Sequence, residues 1–335
     1  MVIRVGINGF GRIGRMMLRA GLQHSDLEFV GVNNPGDPRM FAYLFKYDSI
    51  QKRFNGEIKV KDSSLVINGK EIFLFEQRDP TKLPWKELDV DVVLESTGVF
   101  TTKELAGKHL VAGAKKVIIS APCSGSDKVK TIVKGVNEHI LSKDDVIISI
   151  GSCTTNCLTP MVKVLNDNYG VLRAYYTTIH AYTADQNLVD GSHHDFRRGR
   201  AAGLNIVPTS SGAESAIIEV IPQLKNKITG IALRVPVATG SITDLTVELN
   251  KSVTREQVNE LLRNCSIYDL KGVLEYSEDP LVSSDIVGNS HSVIIDAALT
   301  KVEDGNLVKV IGWYDNEWGF SNRMVEVAKL LGSLR

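Results

Sequence analysis

The chain has 335 residues with 39 basic and 39 acidic side chains, so no global field would draw it to nucleic acid or to an anionic membrane surface. The length suits two domains better than one core, and no apolar run approaches the roughly 18 residues of a membrane span. The first strand begins at once, with no secretory leader before it, and the four cysteines are too few and too irregularly spaced for a disulfide framework, so a cytoplasmic protein is expected.

Up to about residue 150, short apolar strands (2–7, 28–33, 90–95, 116–120 and 146–150) alternate with amphipathic stretches. Such alternation predicts a parallel sheet with helical crossovers. The first strand runs into Gly9-x-Gly11-x-x-Gly14 and a helix-like stretch over 15–23. Glycines at this spacing allow a tight turn and let a pyrophosphate approach the helix N-terminus, which predicts a dinucleotide site. The acidic residue expected about 20 positions on, to hold the adenosine ribose, is replaced by Asn33-Asn34; an amide would not repel a 2′-phosphate, so NADP stays open beside NAD. Three short strands over 58–61, 64–67 and 71–75, around Asn68-Gly69, read as a hairpin insertion.

Cys153 follows an apolar strand and Gly151 and precedes a helix-like stretch over 158–165, so its thiol is expected where a strand turns into a helix. The N–H groups and dipole of a first helical turn stabilise a thiolate and would lower the pKa below the free value of about 8.5. A reactive cysteine beside a dinucleotide points to aldehyde oxidation through a thioester. Cys157, one turn on, reads as core packing, and no paired cysteines or histidines complete a metal site.

Beyond residue 165 longer alternating strands over 171–179, 228–237, 242–248 and 292–299 predict a mostly antiparallel sheet with helices on one face, an α+β domain after the α/β one. A short amphipathic helix over 325–331 would pack back on the first domain. The expected division is a Rossmann domain over 1–152, a catalytic domain over 153–319 and a returning helix over 320–335.

The glycine motif, Ser152-Cys153-Thr154-Thr155-Asn156-Cys157, His180-Ala181-Tyr182-Thr183, Arg234-Val235-Pro236 and the segment from Trp313 to Gly319 together resemble the glyceraldehyde-3-phosphate dehydrogenase family, over residues 3 to about 328. The resemblance implies Cys153 as nucleophile and His180 as its proton partner. It implies one anion site for the substrate phosphate at Thr183 and Arg234, with Asp185 nearby, and a second for inorganic phosphate at Ser152, Thr154, Arg198, Ser211 and Gly212. For the cofactor it implies Gly9, Gly11, Arg12, Ile13 and Gly14 at the pyrophosphate, Asn34 at the ribose, Arg78 and Ser120 as further contacts, Ser96, Thr97 and Gly98 along the dinucleotide, and Asn316 at the nicotinamide carboxamide. Asn34 and Ser192 stand where NAD-dependent members usually have aspartate and proline, and Phe320 replaces a tyrosine. Ser211 replaces a threonine and keeps the hydroxyl.

The activity implied is reversible conversion of glyceraldehyde 3-phosphate, with NAD or NADP and inorganic phosphate, to 1,3-bisphosphoglycerate, in sugar breakdown or synthesis. An erythrose 4-phosphate dehydrogenase is the alternative within the enzymes, and a non-catalytic dinucleotide sensor the alternative outside them. The resemblance also implies a homotetramer, with residues 183–208 as the loop by which subunits approach one another. The basic run Arg197-Arg198-Gly199-Arg200 reads as anion binding and subunit contact, not as a nucleic-acid patch.

Overall fold

The computed structural model describes residues 2–334, which fall into two compact units: Met1–Ile132 with Glu138–Gly151 and Ser321–Arg335, and Val133–Asn137 with Ser152–Phe320.

In the first unit β1 (Ile3–Asn8), β2 (Leu27–Asn33) and β6 (Val92–Glu95) are buried along almost their whole length. Near-continuous apolar runs of this kind belong in the middle of a parallel sheet covered on both faces. The helices between them are α1 (Arg12–Gly21), α2 (Pro38–Lys46) and α3 (Lys103–Val111); the remaining strands are β3 (Ile58–Lys61), β4 (Ser64–Ile67), β5 (Lys70–Phe75), β7 (Lys116–Ile119), β8 (Lys130–Thr131) and β9 (Ile147–Ser149). They form one sheet in the order β3-β4-β5-β2-β1-β6-β7-β9-β8, with β3, β4 and β5 joined antiparallel. The chain therefore winds outward in both directions from β1, and the carboxyl ends of β1, β2 and β6 meet where the order reverses. That is the place where open α/β sheets bind ligands.

The second unit carries α4 (Cys153–Tyr169), β10 (Val171–Ala181), β11 (Val207–Thr209), α5 (Ala213–Val220), β12 (Ile228–Val235), β13 (Ser241–Leu249), α6 (Arg255–Ile267), β14 (Leu274–Ser277), β15 (Val293–Asp296), β16 (Lys301–Glu303), β17 (Leu307–Tyr314) and the start of α7 (Trp318–Ser333). Its sheet runs β11-β12-β10-β13-β17-β15-β14, with β16 beside β17. Most pairings are antiparallel, but β10 and β12 are parallel, with His180 opposite Arg234. From Ala174 onward β10 alternates, placing Ala174, Tyr176, Thr178 and His180 on its buried face. Helix α4 lies against β13, β15 and β17, within a core that includes Leu158, Met161, Leu245, Val310 and Tyr314.

Three boundaries differ from the sequence expectation. Helix α1 starts at Arg12, directly after Gly11, rather than at 15. Helix α7 starts at Trp318 rather than 325, because Asp315 Oδ1 accepts the N–H groups of Glu317 and Trp318 and stabilises the turn ahead of the apolar stripe. The strand expected over 292–299 ends at Asp296, and Ala297–Leu299 form a 3₁₀ turn. In the first unit Lys116 Nζ donates to the carbonyls of Leu331 and Leu334, holding the end of α7 with a cation where the helix dipole favours one. Among the described residues no helix is long and apolar enough to cross a membrane.

Leu245 is fully buried in the second core. Leu245→Ala should cost about 2–5 kcal/mol and lower the thermal midpoint of unfolding; an unchanged midpoint would show that the core collapses around the cavity.

Candidate active site

The first unit builds a turn that suits a dinucleotide. Gly9 has φ +96°, and a Cβ there would stand 2.8 Å from the backbone of Ser96 and Thr97. A Cβ at Gly14 would stand 2.1 Å from the Gly9 carbonyl oxygen, whereas Gly11 faces open space. The N-cap of α1 is Gly11, which has no side chain to cap the helix, so α1 starts as a pyrophosphate-binding helix does. Arg12 forms a two-pronged ion pair with Asp48, at 3.0 and 3.1 Å. Asn34 Oδ1 accepts the N–H of Phe10 at 2.9 Å, which ties the residue after β2 to the glycine turn. Ser96 Oγ donates to the Gly9 carbonyl at 2.9 Å, and Ser120 follows β7 with its N–H on the Glu95 carbonyl. Gly98 and Arg78 are exposed nearby in sequence to these strand ends. The structure thus gathers the glycine turn, Asn34, Ser96 and Ser120 around the ends of β1, β2, β6 and β7.

The chain leaves β9 through Gly151, and the second unit resumes at Ser152, where α4 begins. Ser152 is the N-cap: its Oγ accepts the Thr155 N–H at 3.1 Å, and Thr155 Oγ1 accepts the Ser152 N–H at 3.1 Å. Cys153 is therefore the first helical residue, half-buried, with its Sγ 3.3 Å from His180 Nε2. His180 Nδ1 lies 2.7 Å from the Ala181 carbonyl, which can only accept. The ring proton therefore sits on Nδ1, and the Nε2 lone pair faces the thiol. Behind the pair, Tyr314 Oη bridges Thr178 Oγ1 at 2.7 Å and Thr154 Oγ1 at 3.1 Å, and the Tyr314 ring packs edge-on to the imidazole.

Burial pushes the Cys153 thiol up, against the pull of Arg234 and of hydrogen bonds from Thr154. Burial, and then Arg234, push His180 down to about 3. Each group on its own is thus held towards its neutral form, whereas the helix terminus considered alone leads one to expect a depressed thiol. The difference is burial, which a terminus motif does not report. Burial also pushes Cys157 up; its thiol lies in the core against Thr243 and the Gly312 carbonyl.

Arg234 is the partner of His180 in the β10–β12 register, and its buried Nη1 has no hydrogen-bond partner. A buried guanidinium nitrogen without an acceptor costs free energy that an anion would recover. Arg198 differs: it pairs with Asp185, bonds Thr209 Oγ1 at 2.9 Å and approaches Asp195 at 3.4 Å. Asp185 accordingly serves as a counter-ion to Arg198. Ser211 Oγ accepts the Ala213 N–H at 3.2 Å at the start of α5, and the N-cap residue Gly212 has no side chain of its own to offer. Thr183 is half-buried just past β10, with its N–H on Gln186 Oε1. The Thr154 hydroxyl lies 3.1 Å from the Tyr314 hydroxyl inside the unit. Ser192 is exposed in the loop between β10 and β11.

Asn316 Oδ1 accepts hydrogen bonds from Ser241 Oγ at 2.9 Å and Thr239 Oγ1 at 3.2 Å, which turns its Nδ2 donors the other way. Neither hydroxyl was foreshadowed by sequence reasoning, nor was Thr178; Tyr314 alone carried a signal, since it lies within the motif from Trp313 to Gly319.

A glycine turn built for a dinucleotide and a cysteine set against a neutral imidazole are the working parts of a nicotinamide-dependent aldehyde oxidoreductase. Residues 3–103 match the glyceraldehyde 3-phosphate dehydrogenase NAD binding domain, and residues 152–316 match the C-terminal domain of the same family. The chain is 52% identical over 336 residues to glyceraldehyde-3-phosphate dehydrogenase 2 of Streptomyces avermitilis, covering 99% of both chains. It is 52% identical to glyceraldehyde-3-phosphate dehydrogenase 1 of Bacillus subtilis, covering 98% of both, and 51% identical to the Geobacillus stearothermophilus enzyme, covering 99% of both. The chain belongs to the glyceraldehyde-3-phosphate dehydrogenase family, and is an oxidoreductase acting on an aldehyde with NAD(P).

Arg234 lowers the Cys153 thiol and disfavours imidazolium at His180. Arg234→Met should therefore move the pH midpoint for alkylation of Cys153 by iodoacetamide upward and slow alkylation at neutral pH. A midpoint that stays in place or falls would show that Arg234 does not act on the thiol.

Proposed function

We propose that the chain oxidises glyceraldehyde 3-phosphate to 1,3-bisphosphoglycerate, reversibly and with inorganic phosphate as co-substrate. The observation that carries this reading is the 3.3 Å contact between Cys153 Sγ and a His180 whose tautomer leaves Nε2 to accept, beside a buried Arg234 nitrogen that lacks a partner. As the Cys153 sulfur bonds to the aldehyde carbon, His180 Nε2 takes the thiol proton and returns it to the carbonyl oxygen, giving a thiohemiacetal. The backbone N–H of Cys153, at the start of α4, and His180 stabilise charge on that oxygen. His180 then takes the hydroxyl proton as the carbon is oxidised to a thioester. NAD(P), when bound, supplies the acceptor for the hydride that leaves this carbon. Inorganic phosphate attacks the thioester, the C–S bond breaks, and Cys153 is released as thiolate.

In this reading Thr183 and Arg234 hold the substrate phosphate, with Asp185 steering Arg198, while Ser152, Thr154, Ser211, Gly212 and Arg198 receive inorganic phosphate. Thr154 contributes through its hydrogen bonds to the Cys153 sulfur. The turn from Gly9 to Gly14 holds the pyrophosphate, Asn34 the ribose, Arg78, Ser96, Thr97, Gly98 and Ser120 the rest of the dinucleotide, and Asn316 the carboxamide. Asn34 and Ser192 leave the 2′-phosphate of NADP unopposed. A cytoplasmic homotetramer is part of the same reading. The outer face of the second sheet supports it, since it exposes Tyr175, Ile231 and Leu307, as does the loop over 183–208, which exposes Leu188, Phe196 and Leu204.

Three outcomes are expected. Cys153→Ser should abolish acyl-enzyme formation, and omission of phosphate should stall the wild type after one turnover; steady-state turnover of either would remove the thioester from the reaction. Asn34→Asp should raise the KM for NADP about tenfold or more through repulsion of the 2′-phosphate, with the KM for NAD little changed; equal effects on both coenzymes would take Asn34 away from the ribose.

A further inference from the structure

Beneath the glycine turn lies a chain of buried polar groups that touches no reacting atom. Glu95 ends β6 with its carboxyl group fully buried and both oxygens in use. Oε1 accepts the N–H of Thr97 at 2.8 Å and its Oγ1–H at 2.5 Å. Oε2 accepts Asn8 Nδ2 at 2.5 Å and His109 Nε2 at 3.0 Å. The direction of the last bond is set elsewhere. Trp85 Nε1, which can only donate, points at His109 Nδ1 from 3.0 Å, so Nδ1 accepts and the ring proton must be on Nε2. Asn8 is oriented in turn, because its Oδ1 accepts Asn33 Nδ2 at 2.7 Å. The polarity of every link is thus determined from Trp85 to Asn33, across the ends of β6, β1 and β2.

Each of these groups would be costly to bury alone, and satisfied together they hold one arrangement. The arrangement that they hold is the backbone at Thr97, and Thr97 with Ser96 is the segment against which Gly9 packs with no room for a Cβ. A shift at Thr97 is therefore a shift of the glycine turn. We infer that His109 is a positioning residue for the coenzyme: through Glu95 it fixes Thr97 and Asn8, and with them the turn that receives the dinucleotide. The inference rests on the reading that this turn holds the dinucleotide.

The test compares dissociation constants for NAD and NADP, kcat at saturating coenzyme and melting temperature in the full-length enzyme. His109→Leu removes the donor to Glu95 and strands the Trp85 N–H. Glu95→Gln keeps the shape but sets an amide N–H against a donor, from Thr97 at one position or from Asn8 and His109 at the other. Both should weaken the better-bound coenzyme about tenfold, the scale expected when one buried partner is left unmatched, with kcat at saturation largely kept. His109→Gln, which retains an N–H towards Glu95, should recover most of the affinity. Should His109→Leu not fold, Glu95→Gln against His109→Gln decides the matter. Wild-type affinity in a folded His109→Leu or Glu95→Gln enzyme overturns the inference, as does a lowered melting temperature with unchanged affinity. Gly14→Ala separates this failure from that of the underlying reading: if it too leaves coenzyme binding intact, the turn is not the site.

Discussion

The hydrogen bond between His180 Nδ1 and the Ala181 carbonyl decides what the second unit can do. A carbonyl only accepts, so Nδ1 carries the proton and Nε2 presents a lone pair to Cys153. With the opposite tautomer, the imidazole would offer an N–H to a neutral S–H, and no proton could leave the thiol. The bond depends on backbone geometry and not on another side chain, and that geometry is set by β10 lying between β12 and β13. Period-two alternation along β10 then puts His180 on the same buried face as Thr178, facing α4, where the Ser152 cap makes Cys153 the first residue of the helix. Tyr314 closes the arrangement from behind. Burial pushes its phenol up, so it remains an O–H able to link Thr154 to Thr178.

The same strand pairing supplies the charge. In the parallel register His180 lies opposite Arg234, so a cation stands beside a group that must become a cation during proton transfer. Arg234 helps the thiolate and opposes the imidazolium, while burial opposes both charges. The resting pair is therefore poised with competing biases. An anion that takes up the free Nη1 offsets part of the Arg234 field at both groups, which makes the imidazole a better base and withdraws some of the support for the thiolate. Arg198 does not share this property, because Asp185 and Asp195 already balance its charge.

Much of this could be read in the sequence, for reasons that are local. Gly9, Gly11 and Gly14 sit within six residues and are required by backbone geometry, and Cys153 is flagged by the strand before it and the helix-like stretch after it. The apolar runs of β1, β2 and β6 announce buried parallel strands. What stayed hidden is what the fold brings together across long separations. His109 reads as one more residue on an amphipathic helix, since its partners are 14 and 24 positions away. Thr239 and Ser241 are ordinary residues at the start of a strand until Asn316 arrives from 75 positions on. The early start of α7 was obscured because periodicity marks the apolar stripe, whereas the helix begins at a capping aspartate ahead of it. Burial of the thiol was invisible for a related reason: it is a property of the packed core, and the helix motif carries only the opposing contribution.

A common rule underlies both units. The groups that would meet a ligand are each held from behind by a buried partner whose own hydrogen bonds admit one orientation: Thr97 by Glu95, Asn316 by Ser241 and Thr239, and His180 by the Ala181 carbonyl. Desolvating these partners is unfavourable, and an all-apolar interior of the same shape would carry no such cost. Their worth lies in removing alternatives. An amide that could flip would present acceptor as well as donor, and an imidazole free to exchange tautomers would lose part of its productive population. Fixing these choices during folding means that the reorganisation is complete before a substrate arrives, and that is the condition under which dipoles in a dry site stabilise a transition state more effectively than water does. The buried polar chains are thus the part of the fold in which stability is exchanged for readiness, and they lie at the strand ends because only there can one side chain face the core while its neighbour faces the ligand.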